Sequence, residues 1–292
     1  MTSSGTTPTF VLIPGMSATS FIWTPVVREL ALRGHRALPV ELPGHGFDAI
    51  FPAGYQCPQD PELLARAPSP LAELTLEDYV AHTLRIVRRV ADHGPVVLVG
   101  HSMGGSTVTG VANSAPELIA RLVYLCAYCC VESPSLLAYA PDLGDADPDD
   151  VLTRARQEVW IGDPAQTGAA RTNPRAGDPS VLAALHAFLA ADLDPALTAA
   201  ALNYAMQPDE SLQVILANAQ VNPATWAHLP RTYIRTTRDR VILPAVQDRM
   251  IAEADALAPT NPFDVHSLTT SHAAPITQPA EIADILAAAA AE

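Results

Sequence analysis

Residues 95–105 read Pro-Val-Val-Leu-Val-Gly-His-Ser-Met-Gly-Gly. Pro95 to Val99 is a continuous apolar run, which predicts a strand buried on both faces. It leads into Gly100-His101-Ser102-Met103-Gly104, a G-x-S-x-G pattern, and the small residues Gly104, Gly105 and Ser106 open a helix expected from about Met103 to Asn113. A serine on a sharp strand-to-helix turn has a strained backbone, so the positions two residues to either side must lack bulk. The turn lifts the Ser102 hydroxyl above the sheet. The helix start offers unpaired N–H groups and the positive end of a dipole to a developing oxyanion. G-x-S-x-G alone occurs by chance; the strand–turn–helix context makes Ser102 the candidate nucleophile.

Outward from this stretch the chain alternates strands with helices, the pattern of an α/β protein with a parallel sheet covered on both faces. Thr9 to Ile13 reads as a buried strand ended by Pro14-Gly15. A helix follows, with Thr24 as expected N-cap, Pro25 in its first turn and Gly34 as its stop. Arg36 to Leu42 is the next expected strand, and residues 47–74, rich in proline, read as a long surface excursion. A helix begins at Thr75 with Asp78 completing a capping box. Leu122 to Tyr128, Thr232 to Thr236 and Phe263 to Leu268 are further strands. Helices are expected from about Pro244 to Ala254 and from Pro279. Between about 130 and 228 the alternation stops, and helices over 181–191 and 195–206 replace it. The expected organisation is a core of residues 1–129 and 229–292 with a helical cap or lid, 130–228, inserted over the sheet.

A serine hydroxyl is a poor nucleophile near neutral pH and needs a base and a group to orient that base. In such a sheet, active groups sit on loops at the carboxyl ends of strands. Of the nine histidines, His272 lies just past the last strand in Thr270-Ser271-His272 and is the expected base. His266 falls inside that strand, and His101 beside the nucleophile is expected to point away from it. Asp239, after strand 232–236, is the expected acid: it would accept the far imidazole N–H, fix the tautomer and stabilise the imidazolium. Asp264 and Glu132 are weaker alternatives. The backbone N–H groups of Met103 and of Met16, the latter after the tight bend that Gly15 permits, are the expected oxyanion donors. Gly15, Ser17, His101, Tyr128 and Trp160 are candidate substrate-binding residues.

Composition narrows the chemistry. Hydrophobic residues make up 49% of the 292, charged residues 16%, and the formal net charge is -14. A chain so acidic is repelled by nucleic acid and by anionic membranes, so neither is an expected partner. All 17 basic residues are Arg, so chemistry that requires a lysine amine is excluded. Met1 to Pro8 lacks the basic start and apolar stretch of a secretory signal, and no segment is long and apolar enough to span a bilayer. A cytoplasmic, soluble protein is expected, with a homodimer allowed. Four cysteines (Cys57, Cys126, Cys129, Cys130) read as buried free thiols. Cys126 and Cys129 have redox-motif spacing without a helix N-terminus to stabilise a thiolate, and no second pair suggests zinc. No metal or cofactor is expected.

With these residues in place the chain resembles the α/β-hydrolase superfamily over nearly its whole length. More narrowly, it resembles the branch containing plant methyl-ester esterases, hydroxynitrile lyases and related bacterial esterases. FVLIPGMSATSFIWTPVVREL (10–30), VVLVGHSMGG (96–105), TTRDRVILPAVQDRMI (236–251) and SHAAPITQPAEIADIL (271–286) carry the likeness, with AFLAADLDPALTAAALNYAMQP (187–208) in the insertion. The resemblance implies a six-stranded parallel sheet roofed by a helical cap. Two departures matter: Pro14 stands where the family usually has a His, and the catalytic Lys of the lyases is missing. The expected function is therefore a serine carboxylic-ester hydrolase working through an acyl-enzyme on a small to medium apolar or aromatic ester. A hydrolase or lactonase for a bulky polyketide-like compound is an alternative, with Leu136, Leu137, Tyr139, Trp160 and Phe188 walling a roomy pocket. A non-catalytic small-molecule receptor on the same fold is a third.

Overall fold

The computed structural model describes residues 7–139 and 159–291. Eight strands are present among them: β1 (Thr9–Ile13), β2 (Arg36–Pro39), β3 (Val96–His101), β4 (Arg121–Leu125), β5 (Ala169–Arg171), β6 (Asp209–Ser211), β7 (Arg231–Thr236) and β8 (Asp264–Leu268). Six of them form one sheet in the order β2-β1-β3-β4-β7-β8, every neighbouring pair parallel. Connections run one way from β1 and the other way from β3. The crevice at their carboxyl ends is therefore the switch point where α/β sheets place ligands. The loop after β1 and Ser102 after β3 meet there.

Alternation along the strands builds two cores. Val11, Ile13, Leu98 and Tyr124 face one side. Phe10, Leu12, Val97, Val99 and Val123 face the other, where Val26, Leu30, Ile282 and Leu286 close over them. β1, β3 and β4 are buried along their full length, which is why each reads as an unbroken apolar run.

Several boundaries differ from expectation for identifiable reasons. β4 stops at Leu125 instead of Tyr128, because Cys126 takes φ +34 and turns the chain. β2 ends at Pro39, before the expected Leu42. Thr24 is the first residue of its helix and not the cap; Thr19 instead caps a 3-10 turn, Ser20–Trp23, that precedes it. The Thr75 and Asp78 capping box is present in full.

The excursion over 47–74 is partly structured: Asp60 caps the helix Pro61–Arg66, and Tyr55, Leu64 and Leu71 are buried. The reason is Arg171, fully buried, whose guanidinium donates to the carbonyls of Leu64 and Ala67 and pairs with Asp209. Those bonds tie the excursion to the segment between β4 and β7. That segment is not wholly helical. It holds the helices Pro179–Leu189 and Pro195–Ala205, but β5 and β6 pair antiparallel as a small second sheet. Residues 140–158 lie outside the described ones.

Cys126, Cys129 and Cys130 are buried free thiols; Cys57, also free, is exposed. Among the described residues no helix is long and apolar enough to cross a membrane.

Candidate functional site

The turn after β3 forces Ser102 into φ +54, a backbone region that L residues adopt only under constraint. The constraint comes from both sides: Ser102 N–H donates to Leu125 C=O at 3.3 Å, and Ser102 C=O accepts from Tyr128 N–H at 3.0 Å. The glycines make this possible. A Cβ on Gly104 would lie 2.5 Å from Pro14 O, one on Gly105 2.1 Å from Tyr128 O, and one on Gly100 2.9 Å from Gly104 backbone. Across the crevice, a Cβ on Gly15 would sit 2.8 Å from Ser102 Cβ, so only glycine lets the β1 loop approach the serine this closely. The backbone N–H groups of Met16 and Met103 find no partner among the described residues.

Asp239 and His272 arrive on the loops after β7 and β8. His272 Nδ1 lies 2.8 Å from Asp239 Oδ2, and both side chains are buried. A proton on Nδ1 directed at the carboxylate leaves Nε2 as the nitrogen free to act as a base. Asp239 Oδ1 accepts from the N–H groups of Val241 (2.8 Å) and Ile242 (2.9 Å), and Oδ2 from the Thr236 hydroxyl (2.8 Å). Burial pushes the Asp239 carboxyl up. The His272 charge and the hydrogen bonds from His272, Thr236 and Val241 outweigh it, so the group sits below its ordinary value and stays ionised.

Of the alternatives, Asp264 pairs with His266 at a partly exposed position on β8, away from Ser102. Glu132 contributes its backbone N–H to Tyr139 and Glu253.

His101 does not point away. Its ring lies 4.7 Å, centroid to centroid, from that of His272, and its Nε2 is 3.0 Å from the His272 carbonyl. The carbonyl can only accept, so Nε2 carries the proton. Burial, with the nearby His272, holds the His101 imidazole down at about 3, so it is a neutral ring that orients the backbone of the expected base.

Ser102, His272, His101, Gly15 and Met16 share one cavity of about 100 Å³. Phe188, Leu189, Leu202 and Met206, from the segment between β4 and β7 that is the expected insertion, line it, facing Ile22, Val241 and Ile276. Among the described residues no Arg, Asp or Glu side chain lines it. The lone polar side chain on the far wall, Thr198, is already bonded to His186 and to Asp194 C=O.

Three candidate binding residues fall outside this lining. Ser17 is turned toward Glu210, to which its N–H donates at 2.9 Å. Tyr128 serves the elbow through its backbone, and Trp160 is 40% exposed, away from the cavity. Leu136 joins the main core, Tyr139 bonds to Glu253, and Leu137 is exposed, so of the insertion residues expected to wall the pocket only Phe188 does so.

Two supporting residues escaped sequence reasoning. Gln247, fully buried, donates to Thr236 O (3.1 Å) and Ile242 O (2.7 Å) and accepts from Thr236 N–H (3.0 Å), bracing the loop that carries Asp239. Asp192 accepts from Ser271 N–H (3.0 Å) and the Thr270 hydroxyl (2.7 Å), bracing the loop that carries His272. A glutamine inside a predicted helix gives no signal of such a role.

Putative methylesterase 12 of Arabidopsis thaliana is 23% identical over 84% of this chain and 62% of its own length, so the chain spans about 62% of the length of that relative. A carbendazim hydrolyzing esterase of Nocardioides sp. is 30% identical over 45% of this chain and 47% of its own. Among solved structures, a pyrethroid hydrolase from Sphingobium faniae superposes with a TM-score of 0.69 at 23% identity, covering 98% of each chain. Likeness at that identity speaks for the fold alone. The alpha/beta hydrolase family matches residues 10–285, from the first strand through most of the last helix, and this chain belongs to that family.

Proposed function

We propose that the protein is a serine carboxylic-ester hydrolase acting on a small, uncharged, apolar ester. The observation that carries the reading is the buried His272–Asp239 pair at 2.8 Å, set with Ser102 at the mouth of an apolar cavity. Ser102 Oγ attacks the ester carbonyl carbon while its proton passes to His272 Nε2. Asp239 stabilises the imidazolium, and the Met16 and Met103 N–H groups hold the oxyanion. Collapse expels the alcohol, which takes the proton from His272. Water then repeats the sequence on the acyl group, releasing the acid and restoring the serine.

The cavity supports the substrate class. A charged group placed in it would lose its hydration and gain no counter-ion, and its size favours a short chain or a single ring over a bulky polycyclic ester. The insertion, which supplies half the lining, acts as the cap of this site. The names of the methylesterase and esterase relatives support the same chemistry.

Ser102→Ala is expected to abolish both labelling by a fluorophosphonate probe and hydrolysis of p-nitrophenyl butyrate, with the melting curve unchanged. Retained labelling would overturn the reading. Faster turnover of bulky aromatic methyl esters than of short esters would overturn the size limit alone.

A further inference from the structure

Behind the β1 loop lies a fully buried carboxylate that the chemistry above does not use. Glu210, in β6 of the insertion, is 0% exposed. Its Oε2 accepts from Ser17 N–H at 2.9 Å and lies 3.5 Å from His45 Nε2. Its Oε1 accepts from the Tyr79 hydroxyl at 2.7 Å and from Ser211 N–H at 3.2 Å. A buried carboxylate is costly unless its oxygens are satisfied, and here partners from four segments converge on it. Burial and the Glu210 charge push the Tyr79 hydroxyl above its ordinary value, which keeps it a donor.

What Glu210 holds is the peptide next to the expected oxyanion donor. Ala18 N–H donates to Gly15 C=O at 3.2 Å, closing a four-residue turn over Gly15-Met16-Ser17-Ala18. Its third residue, Ser17, has φ +54, the requirement of a type II turn, where glycine is usual. A serine held there needs outside support. Both its peptide groups receive it from the insertion: the N–H from Glu210, and the C=O from Gln207 N–H at 2.8 Å.

We infer that Glu210 is a positioning residue for the oxyanion hole: by fixing the Met16–Ser17 peptide it aims the Met16 N–H at the site of the developing charge. This rests on the esterase reading. A donor misplaced by about 1 Å costs on the order of 100-fold in rate. Because the donor acts on the transition state, loosening it should lower kcat and leave KM largely alone.

The test compares Glu210→Gln, Glu210→Asp and Glu210→Ala by kcat, KM and inhibition by butylboronic acid, whose tetrahedral adduct on Ser102 places an oxygen in the hole. Glu210→Gln keeps an oxygen for Ser17 N–H and can donate to the Tyr79 oxygen, so kcat should stay within about fivefold of the parent. Glu210→Asp keeps the charge but withdraws the oxygens by one methylene, and kcat should fall about tenfold to 100-fold, with boronate affinity falling in step and KM within about twofold. Glu210→Ala, where it folds, should match or exceed that loss. The inference is overturned if folded Glu210→Asp or Glu210→Ala keeps parental kcat and boronate affinity, if the loss falls on KM, or if Gln is no better than Asp. Activity surviving in Ser102→Ala would instead remove the esterase reading beneath it.

Discussion

The two loops that flank Ser102 are braced in opposite ways. The Asp239 loop is held by its own neighbourhood: Thr236, Val241, Ile242 and Gln247 all lie within eight residues of the carboxylate in sequence. The Gly15–Ala18 loop is held from the far end of the chain, by a carboxylate 193 residues away. Charge is thus stabilised by a local, core-built cage, while the backbone donor depends on the insertion. The first half of the site belongs to the sheet and the second to the interface between sheet and insertion. Changes on the first side should act on acid–base chemistry, and changes on the second on donor geometry.

Breaking the core side at its centre should have the largest effect. Asp239→Asn retains the shape but no longer stabilises the imidazolium or fixes the tautomer, and kcat should fall about 10⁴-fold in steady-state assays. The same variant isolates a pH effect. The native carboxyl lies below the ordinary 3.8, so it contributes stability above that value and loses it as pH falls through its lowered native value. Urea midpoints of parent and Asp239→Asn should therefore differ most at neutral pH and converge in acid.

A smaller disturbance removes the brace and leaves the charge. Gln247→Ala strands the N–H and C=O of Thr236, which should cost about 2–3 kcal/mol in urea unfolding, with a drop in kcat of roughly tenfold. The smallest expected change tests a side-chain contact by which the insertion also reaches the base side. Asp192→Ala removes the acceptor for Ser271 N–H at a partly solvated position, where water can replace it. It should cost about 1 kcal/mol or less and lower kcat no more than about threefold. An effect of Asp192→Ala larger than that of Gln247→Ala would reverse the comparison, placing both loops under control of the insertion.

The same division explains what could be read in the sequence. Strands buried on both faces are continuous apolar runs, so β1, β3 and β4 announce themselves, and the loops at their ends follow. Ser102 stands directly after β3 and Asp239 after the mostly buried β7, but His272 follows β8, a largely exposed edge strand whose run, DVHSL, is not apolar. Gln247, Asp192 and Glu210 are harder to read: Asp192 and Glu210 bond to residues far away in the chain, and Gln247, though close in sequence to its partners, is a polar residue in a helix that carries no local mark of its role. Local direction is equally hidden. Ser17 and His101 each neighbour a site residue, but the turn sends the Ser17 N–H to Glu210, and packing sets the His101 ring against that of His272. The excursion over 47–74 reads as surface because its anchors, the buried Arg171 among them, come from another segment.

The paired seams between insertion and core have a consequence for grafting. Beyond the bonds at Ser17, Thr19 N–H donates to Ala205 C=O on the β1 side, and Ala273 N–H to Leu189 C=O on the side of the base. An insertion exchanged from another protein to change the pocket would have to bring equivalents of residues 189–192 and 204–210. Otherwise the new roof would sit over a disordered floor. The replaceable stretch is the face between those seams, where Leu193, Ala201 and Leu202 line the cavity.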